Sequence, residues 1–216
     1  MKFKSPWPSL RELIPEGKKG TAEVVHFEMT DDHSKGTVVR MMATGFAGSF
    51  CPPGEYIKLI VNGKIMMSDT QMEKDSNRGV VNRAHGSVLL GGLGLGMVAL
   101  AICGKKEVTD VTVIENNPDV IALIATRIEH KKLTIIEGVP YTWAPEKGRK
   151  FDIIYFDIWS TIDIGNLPMT ARLHQRFKFK LNRENPRIWM SSWMVDYLRG
   201  ERRKEDAWLN ACGAHP

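Results

Sequence analysis

The sequence is short of cysteine and has no long apolar run, and each shortage removes a class of protein. Cys51, Cys103 and Cys212 are the three cysteines in 216 residues. Their odd number and wide spacing exclude a CxxC metal site and argue against a disulfide framework, so a reducing cytoplasm is the expected setting. No stretch of about 18 or more apolar residues occurs, which leaves no candidate for a membrane-spanning helix. Lys2 and Lys4 stand near the N-terminus, but no apolar segment and no small-residue cleavage site follow them, so a signal peptide is not expected. His85, His130 and His174 lack HxxxH or HExxH spacing, and no metal is expected. There is no GxSxG elbow for a serine hydrolase and no GxxxxGK[ST] loop for a nucleoside triphosphate. Repeats and low-complexity tracts are also missing.

What is present is an ordinary globular mixture, 43% hydrophobic and 25% charged, with a formal charge of +5. That charge permits anionic partners without requiring them. Many of the cations fall late, among them Arg172, Arg176, Lys178, Lys180, Arg183, Arg187, Arg199, Arg202, Arg203 and Lys204. They read as solvated helix faces, with nucleic-acid contact the less favoured reading.

Residues 1–75 read as a small antiparallel β appendage. Ala22 to Met29 and Thr37 to Met42 are β-rich runs separated by the turn residues Asp31 to Gly36. Tyr56 to Val61 and Lys64 to Met67 flank Asn62-Gly63, the dipeptide that best signals a two-residue hairpin because both turn positions need positive φ. Asp69 and Glu73 follow this hairpin, either as part of a substrate lid or as the opening of a helix running through Asn77.

Over residues 76–216 the pattern becomes strand alternating with helix. Ser87 to Leu90, Val111 to Ile114, Leu133 to Ile136 and Phe151 to Phe156 are apolar runs of strand length, and Arg187 to Met190 is a shorter fifth. Met97 to Cys103, Pro118 to Glu129, Leu167 to Leu181 and Val195 to Leu209 are helical. Such alternation implies βαβ units and a mostly parallel sheet with helices on both faces.

Gly91-Gly92-Leu93-Gly94-Leu95-Gly96 lies between the first strand and first helix of that pattern. Glycines there allow a sharp turn and close approach of a ligand to the backbone. Glu115 ends the next strand, 21 positions after Gly94, where a carboxylate can accept from both hydroxyls of a ribose. The bland alternative is a tight turn and a helix-capping acid. GGLGLG departs from GxGxxG in its last glycine, and Leu93 and Leu95 make the loop apolar. A methionine-like tail suits it better than a pyrophosphate.

Leu89 to Gly96, Val113 to Val120 and Phe151 to Asp157 together resemble the class I S-adenosylmethionine-dependent methyltransferase superfamily. The Asn62-Gly63 hairpin, Ser68 to Glu73, Asp157-Ile158-Trp159 and Asn166-Leu167-Pro168 are most similar to its spermidine synthase-like branch, in uncharacterised bacterial and phage members. The resemblance covers residues 56 to 200 and implies a Rossmann-like fold behind a small β domain. It further implies transfer of a methyl or aminopropyl group from S-adenosylmethionine, or its decarboxylated form, to a small-molecule acceptor.

By the same resemblance Gly91, Gly92, Gly94 and Gly96 contact the methionine part of the cofactor, and Glu115 and Asn116 hold the ribose. Gly138 and Val139 lie by the adenine. Asp157 sits at cofactor and acceptor alike, as the catalytic residue that orients an attacking amine and helps remove its proton. Asp69, Trp159, Ser160 and Asp163 belong to the substrate side. Two positions depart from the pattern. Val139 replaces an aspartate that bonds the adenine amino group, leaving Tyr141 or a backbone group to serve. Ser160 replaces a second acid, with Asp163 nearby on the same loop. These departures keep alternatives open: a lyase or hydrolase that needs no acceptor, or a non-catalytic S-adenosylmethionine-binding protein. A homodimer is plausible from the branch.

Overall fold

The computed structural model describes residues 5–44 and 50–212. Met1 to Lys4, the start of the basic N-terminal stretch, lie outside the described residues. After a single helical turn, α1 (Leu10–Leu13), a four-stranded antiparallel sheet forms in the order β1 (Gly17–Lys19), β2 (Ala22–Met29), β3 (Gly54–Val61), β4 (Lys64–Ser68). The β3–β4 hairpin turns at Asn62 and Gly63 with φ of 51° and 74°, both left-handed as the dipeptide demands.

One expectation fails here. Asp31 to Met42, read as a turn and a second strand, is the helix α2 (Asp31–Thr44). The Thr30 hydroxyl accepts from the His33 N–H, and Asp31 and Asp32 place negative charge on the first turn. Together these cap the helix and complement its dipole. Good capping outweighs the weak helix propensity of Thr37, Val38 and Val39, which is worth only tenths of a kcal/mol per residue, on the order of 0.5.

Helix α3 (Gln71–Arg83) leads from the first sheet into the second, whose strands β5 (Gly86–Gly91), β6 (Val108–Glu115), β7 (Leu133–Glu137), β8 (Ile153–Phe156) and β9 (Trp189–Ser192) are all parallel. Their order is β7-β6-β5-β8-β9. Between them run α4 (Met97–Cys103), α5 (Pro118–Ile124, extended by a 3-10 turn) and α6 (Asn166–Phe177), and α7 (Val195–Ala211) closes the described chain. This is the Rossmann-like α/β architecture expected, with an antiparallel sheet ahead of it.

Alternate residues of each central strand enter different cores, as the two-residue period requires. Val88, Leu90, Ile153 and Tyr155 join a large cluster with Val80 and Val81 of α3, Val120 and Ile124 of α5, and Ile57 and Leu59 of the first sheet. Leu89, Ile154 and Phe156 pack on the other face against Leu173 and Phe177 of α6. Each such side chain, fully buried, contributes about 2 to 3 kcal/mol of transfer free energy. The parallel register sets Gly91, Glu115, Glu137, Phe156 and Ser192 along one edge. No described helix is long and apolar enough to cross a membrane.

Candidate active site

The strand order reverses between β5 and β8: from β5 the chain crosses to β6 on one side, and β8 pairs on the other. Ligands of open α/β sheets bind at the carboxyl ends of the strands beside such a switch point. A cavity of about 660 Å³ lies there, within the 300–1,000 Å³ typical of small-molecule sites.

Its floor is the glycine loop. The Gly92 N–H donates to the Ile114 carbonyl at 2.8 Å, and the Asp157 N–H donates to the Gly91 carbonyl at 2.8 Å, so the loop is sewn to both neighbouring strands. Gly92 has φ +97° and a Cβ there would collide with the Asp157 carbonyl oxygen. Gly94 has φ +52°, and the Met67 sulfur occupies the space a Cβ would take. Met67 comes from β4, and its sulfur accepts from the Leu95 N–H at 3.1 Å. Leu59, Val61, Met66 and Met67 of the β3–β4 hairpin thus wall the cavity.

Glu115 lines the same cavity and is buried. One of its oxygens accepts from the Leu93 N–H and the other from the Asn117 N–H, both at 2.9 Å. It therefore fastens the glycine loop to the end of β6. A carboxylate offers roughly four acceptor positions, so two remain for hydroxyl donors of a ligand.

Part of the lining is acidic and aromatic. Asp157 and Glu73 both belong to it, with Tyr155, Trp159 and Trp193. Burial pushes the Asp157 carboxyl up to about 7, opposed by a hydrogen bond from Asn77. Burial first, and the neighbouring Asp157 second, push Glu73 up to about 8, opposed by a backbone bond from Ser68. Burial raises the Tyr155 phenol well above its ordinary value, with both carboxylates adding to it. Acids held near neutrality beside a cavity suit proton transfer.

Gly91, Gly92, Gly94, Glu115, Asn116, Val139, Asp157 and Trp159 all line the cavity. The other expected residues stand apart from it. Gly96 is the left-handed residue before α4, and a Cβ there would meet Ile128. Gly138 packs against the Trp143 indole, which lies 3.2 Å from its Cβ position. Asp69 is buried and accepts from the Ile57 N–H at 2.8 Å, a role in the β3–β4 region. Ser160 is exposed. Asp163 accepts from the Gly165 N–H at 2.6 Å in the turn before α6.

Tyr155 and Met67 line the cavity without having been singled out by the sequence, and Glu73, read there as part of a substrate lid or as the opening of a helix, lies in the first turn of α3 and lines the cavity. For Glu73 a signal exists: positions 73, 77, 80, 81 and 84 form one helical stripe, so Glu73 and Asn77 stand on the buried face of α3.

The lining fits an adenosyl sulfonium compound. It offers backbone, glycines and Glu115, and beside them the side chains of Val139, Pro140 and Tyr141. The Tyr141 hydroxyl and the Trp159 indole N–H are buried without a hydrogen-bond partner. Such orphans cost about 1 to 3 kcal/mol each and ask for a partner.

No protein-family model matches the chain, and no curated protein matches it. Among solved structures it is similar to spermidine synthase from Thermotoga maritima, with 14% identity over 78% of this chain and 53% of that one, at a TM-score of 0.46. It is similar to the CcbJ methyltransferase from Streptomyces caelestis, with 12% identity over 55% of this chain and 48% of that one, at a TM-score of 0.43. A third is the N-methyltransferase NodS from Bradyrhizobium japonicum, in complex with S-adenosyl-L-homocysteine. There the identity is 13% over 52% of this chain and 58% of that one, at a TM-score of 0.41. The matched region spans about half the length of those proteins.

Proposed function

We propose that the protein is an S-adenosylmethionine-dependent transferase that passes a methyl or aminopropyl group to a small acceptor at Asp157. One observation carries this reading: the glycine loop, the Glu115 carboxylate and the half-buried Asp157 meet in one cavity at the switch point of the parallel sheet. In this reading Gly91, Gly92 and Gly94 take the methionine part, Glu115 and Asn116 the ribose, and Val139 with Tyr141 the base. The Tyr141 hydroxyl replaces the missing acid at position 139 as a partner for the adenine edge. The bound sulfonium supplies an activated carbon with a neutral thioether as leaving group. The chain's own contribution is to hold the acceptor near that carbon, exclude water behind Trp159 and Trp193, and accept the acceptor's proton at Asp157.

The test is mass spectrometry of S-adenosylmethionine, and of its decarboxylated form, incubated with pure protein, with and without a panel of small nucleophiles. S-adenosylhomocysteine formed only with an acceptor establishes methyl transfer. Methylthioadenosine formed only with an acceptor establishes aminopropyl transfer. Methylthioadenosine without any acceptor points to a lyase and refutes the transferase, as does failure of both sulfonium compounds to bind.

A further inference from the structure

The basic residues late in the chain divide into two sets. On α7, Arg199, Arg202 and Lys204 each pair with an acid three or four residues away, at 3.2, 3.1 and 2.7 Å, the pattern of a solvated helix face. The stretch 172–187 has no such pairs. It carries Arg172, Arg176, Lys178, Lys180, Arg183 and Arg187 against one acid, Glu184, so its formal net charge of +5 equals that of the whole chain. Among the described residues none of these six cations forms an ion pair. Complementing the negative end of α6 accounts for Arg176 and Lys178, but not for the cations beyond the helix.

An exposed aromatic ring stands among them. Phe179 is 61% exposed, while Phe177, two residues earlier, is buried in the core. The backbone here is held. The Lys150 ammonium donates to the Phe179 carbonyl, the Lys180 N–H donates to the Phe177 carbonyl at 2.8 Å, and the Lys180 carbonyl accepts from the Phe151 N–H at 2.9 Å. The Lys178 ammonium lies 4.9 Å and the Arg183 guanidinium 5.6 Å from the Phe179 ring centroid. Further up α6, Arg176 donates to the Thr142 and Trp143 carbonyls at 2.8 and 2.9 Å, and Arg172 lies 6.0 Å from the Tyr141 ring. Positioned cations thus run down α6 and end around a presented ring. That ring stands at the edge of the sheet where Phe151 precedes β8, opposite the edge that carries the cavity. One exposed ring is common on a protein surface. Surrounded by unpaired cations on a fixed backbone, it has the composition of a platform for a base between phosphates.

We propose that residues 172–187, with Lys150, form a binding surface for single-stranded nucleic acid, one base stacking on Phe179 and the neighbouring phosphates meeting the cations around it. Every base has a π-face, so stacking of this kind is tolerant of sequence. The ring favours a single strand over a duplex, whose bases are already stacked on one another. A cation over an exposed ring is held weakly, so an incoming base displaces Lys178 or Arg183 from Phe179 onto the adjoining phosphate. The surface lies outside the cavity, and the inference does not rest on the transferase reading.

The experiment is fluorescence anisotropy of labelled oligothymidine and oligouridine of about 12 nucleotides, titrated with the full chain at about 25 to 200 mM NaCl. The expected result is binding whose log Kd rises with log salt at a slope of about 3, as four phosphates give at about 0.7 each. Single strands bind about fivefold or more tightly than a duplex of the same length. Phe179→Ala weakens both oligonucleotides about fivefold or more, the lower end of what one stacked base contributes, with the slope unchanged, and Phe179→Trp keeps the affinity. Because Phe179 is exposed, neither replacement touches the core. Lys178→Gln combined with Arg183→Gln lowers the slope by about 1.4. Arg202→Gln combined with Lys204→Gln, which removes the same charge from α7, changes it by less than about 0.5. No binding at the lowest salt, equal or tighter binding of the duplex, full affinity of Phe179→Ala, or an equal loss of slope in the α7 variant overturns the proposal. Sedimentation with phosphatidylserine–phosphatidylcholine vesicles, in a protein that binds neither oligonucleotide, reassigns the patch to anionic lipid and also overturns it. None of these outcomes bears on S-adenosylmethionine.

Discussion

Glu73 is a buried acid in an apolar helix stripe, and replacing it with the neutral, similarly sized glutamine separates stability from function. Because the folded protein holds the Glu73 proton more tightly than the unfolded chain, the residue lowers stability as pH rises from its ordinary 4.5 towards about 8. Each unit of that difference is worth about 1.4 kcal/mol, which sets a ceiling of about 5 kcal/mol at pH 8.5. Part of the penalty falls on Asp157, and water entering the cavity relieves more, so about 2 kcal/mol is the expected net effect. For a chain of this size, that corresponds to roughly 4–8 °C in melting temperature. Glu73→Gln is therefore expected to melt higher than wild type at pH 8.5, without ligand, and within about 2 °C of it at pH 5. Thermal melts followed by circular dichroism across this range provide the check. A variant that melts lower at both pH values, or a gain independent of pH, refutes the claim that an ionised Glu73 burdens the fold.

Three further substitutions probe the rest of the site. Gly92→Ala forces a Cβ against the Asp157 carbonyl oxygen at a left-handed position and is expected to cost about 3 kcal/mol or more; an unchanged denaturant midpoint speaks against the loop geometry. Glu115→Gln sets an amide N–H₂ against one of the two backbone N–H groups that now donate to Glu115. It should cost about 1 to 3 kcal/mol and weaken S-adenosylhomocysteine binding in calorimetric titration, and normal affinity in a folded variant denies the ribose role. Asp157→Asn removes the proton acceptor and is expected to slow turnover by about a hundredfold or more, with S-adenosylhomocysteine affinity changed by less than about threefold; undiminished turnover shifts proton transfer to Glu73 or to water.

The second sheet was legible because its signals are local. Val88-Leu89-Leu90 and Ile153-Ile154-Tyr155-Phe156 are buried on both faces and so read as unbroken apolar runs, with no other element type of that length to suit them. Asn62-Gly63 fixed its hairpin for an equally local reason. The rest depends on longer-range information. Thr37-Val38-Val39 prefers strand, and only the cap at Thr30 with the two aspartates turns the segment into helix. Asp69 carries the charge expected of a substrate ligand, but it spends that charge on the Ile57 N–H across the β3–β4 hairpin. Ser160 and Asp163 follow Asp157 closely in sequence, yet the chain leaves the cavity after Trp159, and the turn at Gly165 consumes the Asp163 carboxylate. Glu73, an acid that does line the cavity, comes from a helix that precedes β5.

That placement has a consequence for how the site is built. The glycine loop and Glu115 belong to the second sheet, and contacts between the two sheets support the cavity around them. Met67 of the first sheet hangs on the Leu95 N–H. Thr21 donates to Asp119 of α5 through both its N–H and its hydroxyl, at 2.8 and 2.9 Å. The Trp193 indole donates to Ser76 of α3 at 3.0 Å. Glu73 stands one helical turn before Asn77 on α3, the helix whose Ser76 accepts from Trp193. In the proposed reading the acid on α3 and the glycine loop come from separate stretches of chain, and Asp157 joins them.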